Sequence, residues 1–252
     1  MIGSILPIIS IFLFEALRNR NNFKESLLNS SLGKINSSKG YKYADIWYYI
    51  FSHLGNLPII LFFLTLGSSY FNQGVADWFH KVYEKVIPFP SNSLSIIITF
   101  VIAILLADFM SYVRHRVEHH FPLLWDLHEF HHSATEMTIL SNYRNVFLSD
   151  ILVAPVVLPF NILAGLVINE YISKGNLIPL YIYLFDQIIH YSFVFLGHSS
   201  LKVIYPKPFS FFLLSPSLHW LHHSDNPKHY DKNFGSKYTF WDKFFGTYLD
   251  ES

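Results

Sequence analysis

The stretch HRVEHHFPLLWDLHEFHH, residues 115–132, holds six histidines, and HWLHHSDNPKH, residues 219–229, holds four more of the chain's 14. His115 and His119 are spaced i, i+4 and so share one face of a helix. His128, His131 and His132 form an HxxHH box, and His219, His222 and His223 repeat it. These boxes supply eight imidazoles. A single zinc ion uses three or four protein ligands, so eight point to two metals. Neutral imidazole suits zinc, copper, iron and nickel alike, which leaves the metal open on ligand type alone. Going back along the first helix, Asp108 and Tyr112 fall on the stripe of His115 and His119. Asp108 is therefore expected to orient a ligand imidazole as an outer acceptor. His53, His80 and His229 read as ordinary core or surface residues. His120 and His190 stand between spare and auxiliary ligand. Glu118, Asp126 and Glu129 read as solvated or as outer partners of the ligands rather than as bridges.

The chain has no cysteine. That excludes disulfides, thiolate metal sites, iron–sulfur clusters and cysteine nucleophiles. The formal net charge is zero, so no basic field argues for nucleic acid. The residues are 51% hydrophobic and 14% charged, against about 25% charged in an average soluble domain. This composition points to a membrane protein.

Elements long enough to cross a bilayer must therefore position the histidines. About 20 mostly apolar residues are needed, and residues 46–71, 94–113, 147–168 and 177–197 qualify. Residues 2–17 form a shorter apolar stretch, either a span or an interfacial helix. Gly175 and Asn176 mark a turn, so the last two spans read as a helical hairpin. That hairpin returns the chain to the side it left, and all the clustered histidines can share one face. Fifteen Lys and Arg residues fall on that face and three on the other, which makes it cytosolic. Residues 29–40 read as a polar loop, and the proline-broken segment 199–218 as lying in the membrane interface. The expected fold is an all-α integral membrane helical bundle of four or five spans with a cytosolic histidine-rich helical cap. Residues 1–93 are expected to hold N-terminal spans and loops, and residues 94–252 the catalytic domain.

With these words in place, DFMSYVRHRVEHHFPLLWDLHEFHHS, GHSS, SPSLHWLHHSDNP and DKNFGSKYTFWDKFFGTY, the chain resembles the fatty acid hydroxylase superfamily over roughly residues 100–250. That superfamily of integral-membrane oxygenases includes sterol desaturases and alkylglycerol monooxygenase. The resemblance implies a non-haem di-iron centre with all-histidine ligation by His115, His119, His128, His131, His132, His219, His222 and His223. It adds His198, after the last span, as a ninth ligand. Ser200 stands where the family commonly has Asn, and Val194 and Lys202 stand where some members have a tenth ligand. The resemblance also makes Arg144 and Asp231 outer-sphere candidates beside Asp108 and Tyr112. It casts Asn233, Trp241 and Asp242 as structural, with Trp241, Phe244 and Phe245 packing a cap over the metals.

The implied activity is O₂-dependent hydroxylation of a lipid C–H bond, the substrate being a sterol, fatty acyl or ether lipid. Desaturation is the rival within the family. A separate protein would donate the electrons. Two iron ions are the implied cofactor, with zinc as a possible substitute. A zinc-dependent membrane hydrolase, or a metal- or lipid-binding protein without catalysis, are the readings from other classes.

Overall fold

A computed structural model describes residues 2–18, 22–37, 43–51, 81, 92–144, 152, 167–168, 171–172 and 174–250. Among these the regular elements are helical, and Leu213 and Tyr238 form an isolated antiparallel bridge. The expected spans 46–71 and 147–168, with His53 and His80, lie mostly outside the described residues.

Helix α1 spans Ile2–Leu17, α2 Phe23–Leu28 and α3 Ser31–Ser37. The polar loop expected at 29–40 thus contains α3. Its first turn is stabilised because the Ser31 amide and hydroxyl both donate to the Glu15 carboxylate, at 2.8 and 2.9 Å. The Gly33 amide donates to the Ser30 hydroxyl at 3.2 Å. Donors at a helix start need such partners, and here α1 supplies one.

Helix α4 spans Ser93–His120. The Asn92 side chain caps it by accepting the Ser95 amide at 2.8 Å. An apolar run to Leu106 opens a helix of 28 residues, about 42 Å at 1.5 Å per residue. About twenty such residues suffice to cross a hydrocarbon core of about 30 Å, and the histidines lie at the opposite end of the helix from its apolar start. The helix stops at Phe121 because Pro122 disfavours helical geometry in the residue before it; Phe121 sits at φ −97°, ψ 123°. Pro122 then opens α5, Pro122–His132, where a missing amide hydrogen costs nothing. This elbow folds the second histidine group back onto the first.

Gly175, at φ +76°, makes the turn before α6, Ile178–Gly197. Beyond α6 come two short helices, α7 at Phe209–Phe212 and α8 at Pro216–His222, and finally α9 at Phe240–Phe245. Helix α4 packs against both α5 and α6, and α6 packs against α1 and α8. Gly197 permits the last contact: a Cβ there would lie 3.3 Å from the His219 ring.

Helices α4 and α6 are the described helices long and apolar enough to cross a membrane. Their outer faces expose Leu94, Ile98, Ile102 and Leu106 on α4, and Tyr181, Phe185 and Ile188 on α6. A water-soluble domain rarely leaves so continuous an apolar surface uncovered. The buried core lies between the helices, in one cluster around Ile139, Leu140 and Phe195 and another around Phe193, Leu214 and Leu218.

Candidate metal centre

The elbow at Phe121–Pro122 turns α5 back beside the end of α4, and α8 closes from the other side. Nine imidazoles meet in two groups. His115, His119, His128, His132 and His222 form one; His131, His198, His219 and His223 form the other. Within each group the ligand atoms lie within 4.8 Å of one another. These are the nine histidines that the sequence singled out. Each HxxHH box divides between the groups. The i, i+4 pairs stay together, His128 with His132 and His219 with His223, while His131 and His222 cross to the opposite group. The groups share a wall, where the His132 and His223 rings stack at 4.3 Å.

Hydrogen bonding on the outer ring nitrogens tests whether a metal fits. His115 Nδ1 lies 2.9 Å from the Phe234 carbonyl and His222 Nδ1 2.7 Å from the Lys232 carbonyl. A carbonyl only accepts, so both imidazoles carry their proton on Nδ1 and present an Nε2 lone pair inward. The Nε2 atoms of His115, His128 and His222 are buried with no protein partner. In the four-histidine group, His198 Nδ1 lies 3.0 Å from the Val194 carbonyl, which fixes the same tautomer. Its Nε2 faces those of His131 at 3.2 Å and His219 at 3.0 Å, and His219 Nε2 faces His223 Nε2 at 3.1 Å. One neutral imidazole has one proton to share, so these contacts cannot all be N–H···N bonds. Buried inward lone pairs need a cation, and both groups fit a metal ion. Burial, reinforced by the neighbouring histidines, lowers His132 to about 3. Burial also lowers His198, to about 4, against the upward pull of the Val194 carbonyl. His131, His219, His222 and His223 lie well below the usual 6.5 for the same first cause, burial. These imidazoles are neutral at physiological pH, the form a metal requires.

The outer partners differ from those expected. Asp108 does not orient a ligand. It accepts from Ser236 Oγ at 3.1 Å and Trp241 Nε1 at 3.0 Å. It lies two helical turns below His115, about 10 Å along the axis, too far to reach it. Tyr112 instead hydrogen-bonds Thr247 at 3.0 Å. Arg144 pairs with Asp45 at 2.5 Å and donates to Ser133 Oγ at 3.2 Å. Asp231 does stand beside a ligand, 3.8 Å from His119 Nδ1. Glu118, buried, lies 3.6 Å from His128 Nδ1 and is held by Arg114 at 3.0 Å. Its neighbourhood to His128 follows from the elbow and cannot be read from spacing.

Trp241, Phe244 and Phe245 do not cover the histidines. Trp241 and Phe245 pack on Phe109, and Phe245 also stacks on Tyr112, while Phe244 is 80% exposed. Two rings pack on the five-histidine group: Phe234, which contacts His115, His119 and His222, and Trp125, which contacts His119, His128 and His132. The loop carrying Phe234 is set by Asp242, which accepts the Phe234 and Gly235 amides, both at 2.8 Å, and Thr247 Oγ1 at 2.7 Å. Asn233, at φ +57° and fully buried, donates to the Leu218 and Leu249 carbonyls. The carbonyls of Lys232 and Phe234 are therefore aimed at the imidazoles by two buried side chains, Asn233 of the loop itself and Asp242 of α9. His120, His190 and His229 join neither group.

A family model described as fatty acid hydroxylase matches residues 100–247. An alkylglycerol monooxygenase of Caenorhabditis elegans is 32% identical over 153 residues, covering 61% of this chain and 27% of that protein. The human alkylglycerol monooxygenase is 27% identical over 158 residues, covering 61% of this chain and 31% of that protein. An ornithine lipid hydroxylase of Rhizobium tropici is 26% identical over 148 residues, covering 59% and 41%. The matched region is thus under a third of each monooxygenase and under half of the hydroxylase. No solved structure matches.

Proposed function

The chain belongs to the fatty acid hydroxylase family, and from that premise we propose that it is a membrane-bound oxygenase that hydroxylates a C–H bond of a lipid. The observation that carries this reading is the pair of histidine groups with inward Nε2 lone pairs, set at the end of an apolar helix. In it, His115, His119, His128, His132 and His222 hold one iron ion, and His131, His198, His219 and His223 hold the other. Two iron ions bound there would let O₂ react with an unactivated C–H bond, one oxygen atom entering the lipid and the other leaving as water, at the expense of two electrons and two protons.

The chain's own residues supply the rest. The carbonyls of Lys232, Phe234 and Val194 fix the tautomers of His222, His115 and His198, so no ligand must reorient when metal arrives. Phe234 shields the five-histidine group from water. Helices α4 and α6 cross the bilayer in this reading, and residues 94–252 form the catalytic domain, with its cap on the cytosolic face where basic residues are concentrated. A lipid can then reach the centre without leaving the membrane. Hydroxylation is preferred to desaturation because the named relatives are monooxygenases or hydroxylases of lipids. Electrons come, in this reading, from a donor protein.

Lipid mass spectrometry of cells with and without the active chain tests the proposal. The expected result is an O₂-dependent lipid product heavier by one oxygen, lost with His128→Ala and retained with His229→Ala. Loss of two hydrogens would move the reading to desaturation. Turnover in the absence of O₂ would replace it with zinc-dependent hydrolysis.

A further inference from the structure

Helix α1 lies outside the residues matched to the family, yet it carries a buried acid bonded to the turn that follows His198. Glu15 is the one charged residue in IGSILPIISIFLFEAL and is 1% exposed. Among the described residues no cation pairs with it. Its carboxylate instead accepts four hydrogen bonds. Ser31 gives its amide and hydroxyl, at 2.8 and 2.9 Å, and Ser200 gives its amide and hydroxyl, both at 2.8 Å. A buried carboxylate is costly unless donors surround it, and then its bonds are the strong, charge-assisted kind.

Ser200 is two residues beyond His198, in the turn that ends α6. His198 is the hub of the four-histidine group, facing His131 and His219 at once. The turn's other restraints are local: the Ser199 amide and hydroxyl donate to the Leu196 carbonyl at 3.2 and 2.9 Å, the Leu201 amide donates to Ser199 Oγ at 3.1 Å, and His198 Nδ1 bonds Val194; Glu15 ties it to a distant part of the chain. Helix α1 also packs directly on α6. A second acid from the N-terminal region, Asp45, accepts Arg144 and Thr138 just beyond the second box, so this region grips the cap at two points.

We propose that Glu15 is a positioning residue for His198, so that the N-terminal helix completes the four-histidine site and leaves the five-histidine site to the matched domain. This rests on the reading of both groups as metal sites. The five-histidine site in the same molecule is then an internal control for folding.

The test is cobalt(II) titration of the full-length, metal-stripped protein in nanodiscs, followed by visible absorption and bound metal per chain. His222→Ala and His198→Ala identify the two spectral components. Glu15→Gln keeps size but turns an amide donor toward Ser31 or Ser200. It should weaken the four-histidine component measurably, by less than the roughly 10–100-fold that follows loss of a group bonded directly to a ligand, and leave the five-histidine component unchanged. Ser200→Ala, which keeps the amide bond, should shift the same component less. Two unchanged components in Glu15→Gln overturn the proposal. Equal weakening of both also overturns it, because Glu15 would then serve only the fold. A wild-type protein that binds no cobalt overturns the reading of the histidines as well.

Discussion

The two histidine groups stand side by side yet are supported differently. Around the five-histidine group, the outer nitrogens meet two carbonyls of the C-terminal loop, Lys232 and Phe234, and two carboxylates, Glu118 and Asp231. Around the four-histidine group, a single carbonyl, Val194, holds His198, while the Nδ1 atoms of His131, His219 and His223 are buried without a protein partner. Carboxylates beside ligand imidazoles raise their basicity and favour a more positive metal. The five-histidine group has more polar partners beside its outer nitrogens than the four-histidine group has. Two sites made from the same boxes need not have the same affinity or the same redox behaviour.

Removing a ligand from each side breaks the comparison most severely. His222→Ala should abolish product formation and leave about one metal per chain, in the four-histidine site; His198→Ala should do the reverse. Each loss should exceed the roughly 10–100-fold that an outer-sphere change costs. Metal analysis with a site-specific spectrum checks it, and loss of both metals from either variant would show that the sites fill only together.

Next is the buried pair of Lys237 and Asp186, 2.6 Å apart, which ties α6 to the C-terminal loop. The first carries His198 and the second backs His115 and His222, so the pair braces both groups. Asp186→Asn should destabilise the protein by about 3–5 kcal/mol, because it leaves a buried lysine unpaired. Both sites should weaken together in thermal and metal titrations. The double variant Asp186→Leu with Lys237→Met should recover much of the loss.

Glu118→Gln is gentler and one-sided. It keeps the shape but removes the charge beside His128, and should cost the five-histidine site about tenfold in affinity with the four-histidine site unchanged. A cobalt titration resolving the two components reads this directly. An equal effect on both would mean that the carboxylate acts through the fold and not through His128.

The sequence carried eight of the nine imidazoles through helical spacing and histidine density, which are local properties, while His198, isolated from the boxes, came only from the family resemblance. The sequence also held a local signal for the elbow, Pro122 after Phe121, which the histidine spacing alone did not use. What it concealed was mutual placement. Nothing in HxxHH says that His131 leaves His128 and His132 for the opposite group, because that depends on where α8 closes. The carbonyls of Lys232 and Phe234 were invisible, since every residue has one and only the left-handed turn at Asn233 aims them. Glu15 and the short helix at Ser31–Ser37 were hidden for a related reason: their donors and acceptors are separated by 16 and 185 residues.

Asp108 makes the smallest and most diagnostic test. It shares the stripe of His115 and His119, and a buried carboxylate below two ligands invites a role at the metal. Its oxygens are nevertheless taken by Ser236 and Trp241, so it fastens α9 and the loop before it to α4. Asp108→Asn retains the size and one acceptor oxygen, and loses one of the two bonds. The cost should be about 1 kcal/mol, the net worth of a single hydrogen bond, seen as a modest fall in thermal midpoint. Both cobalt components should stay where they are, since no imidazole touches this carboxylate. A shift in the five-histidine spectrum would instead show that Asp108 reaches His115 through the helix, and that the stripe is electrostatic as well as structural.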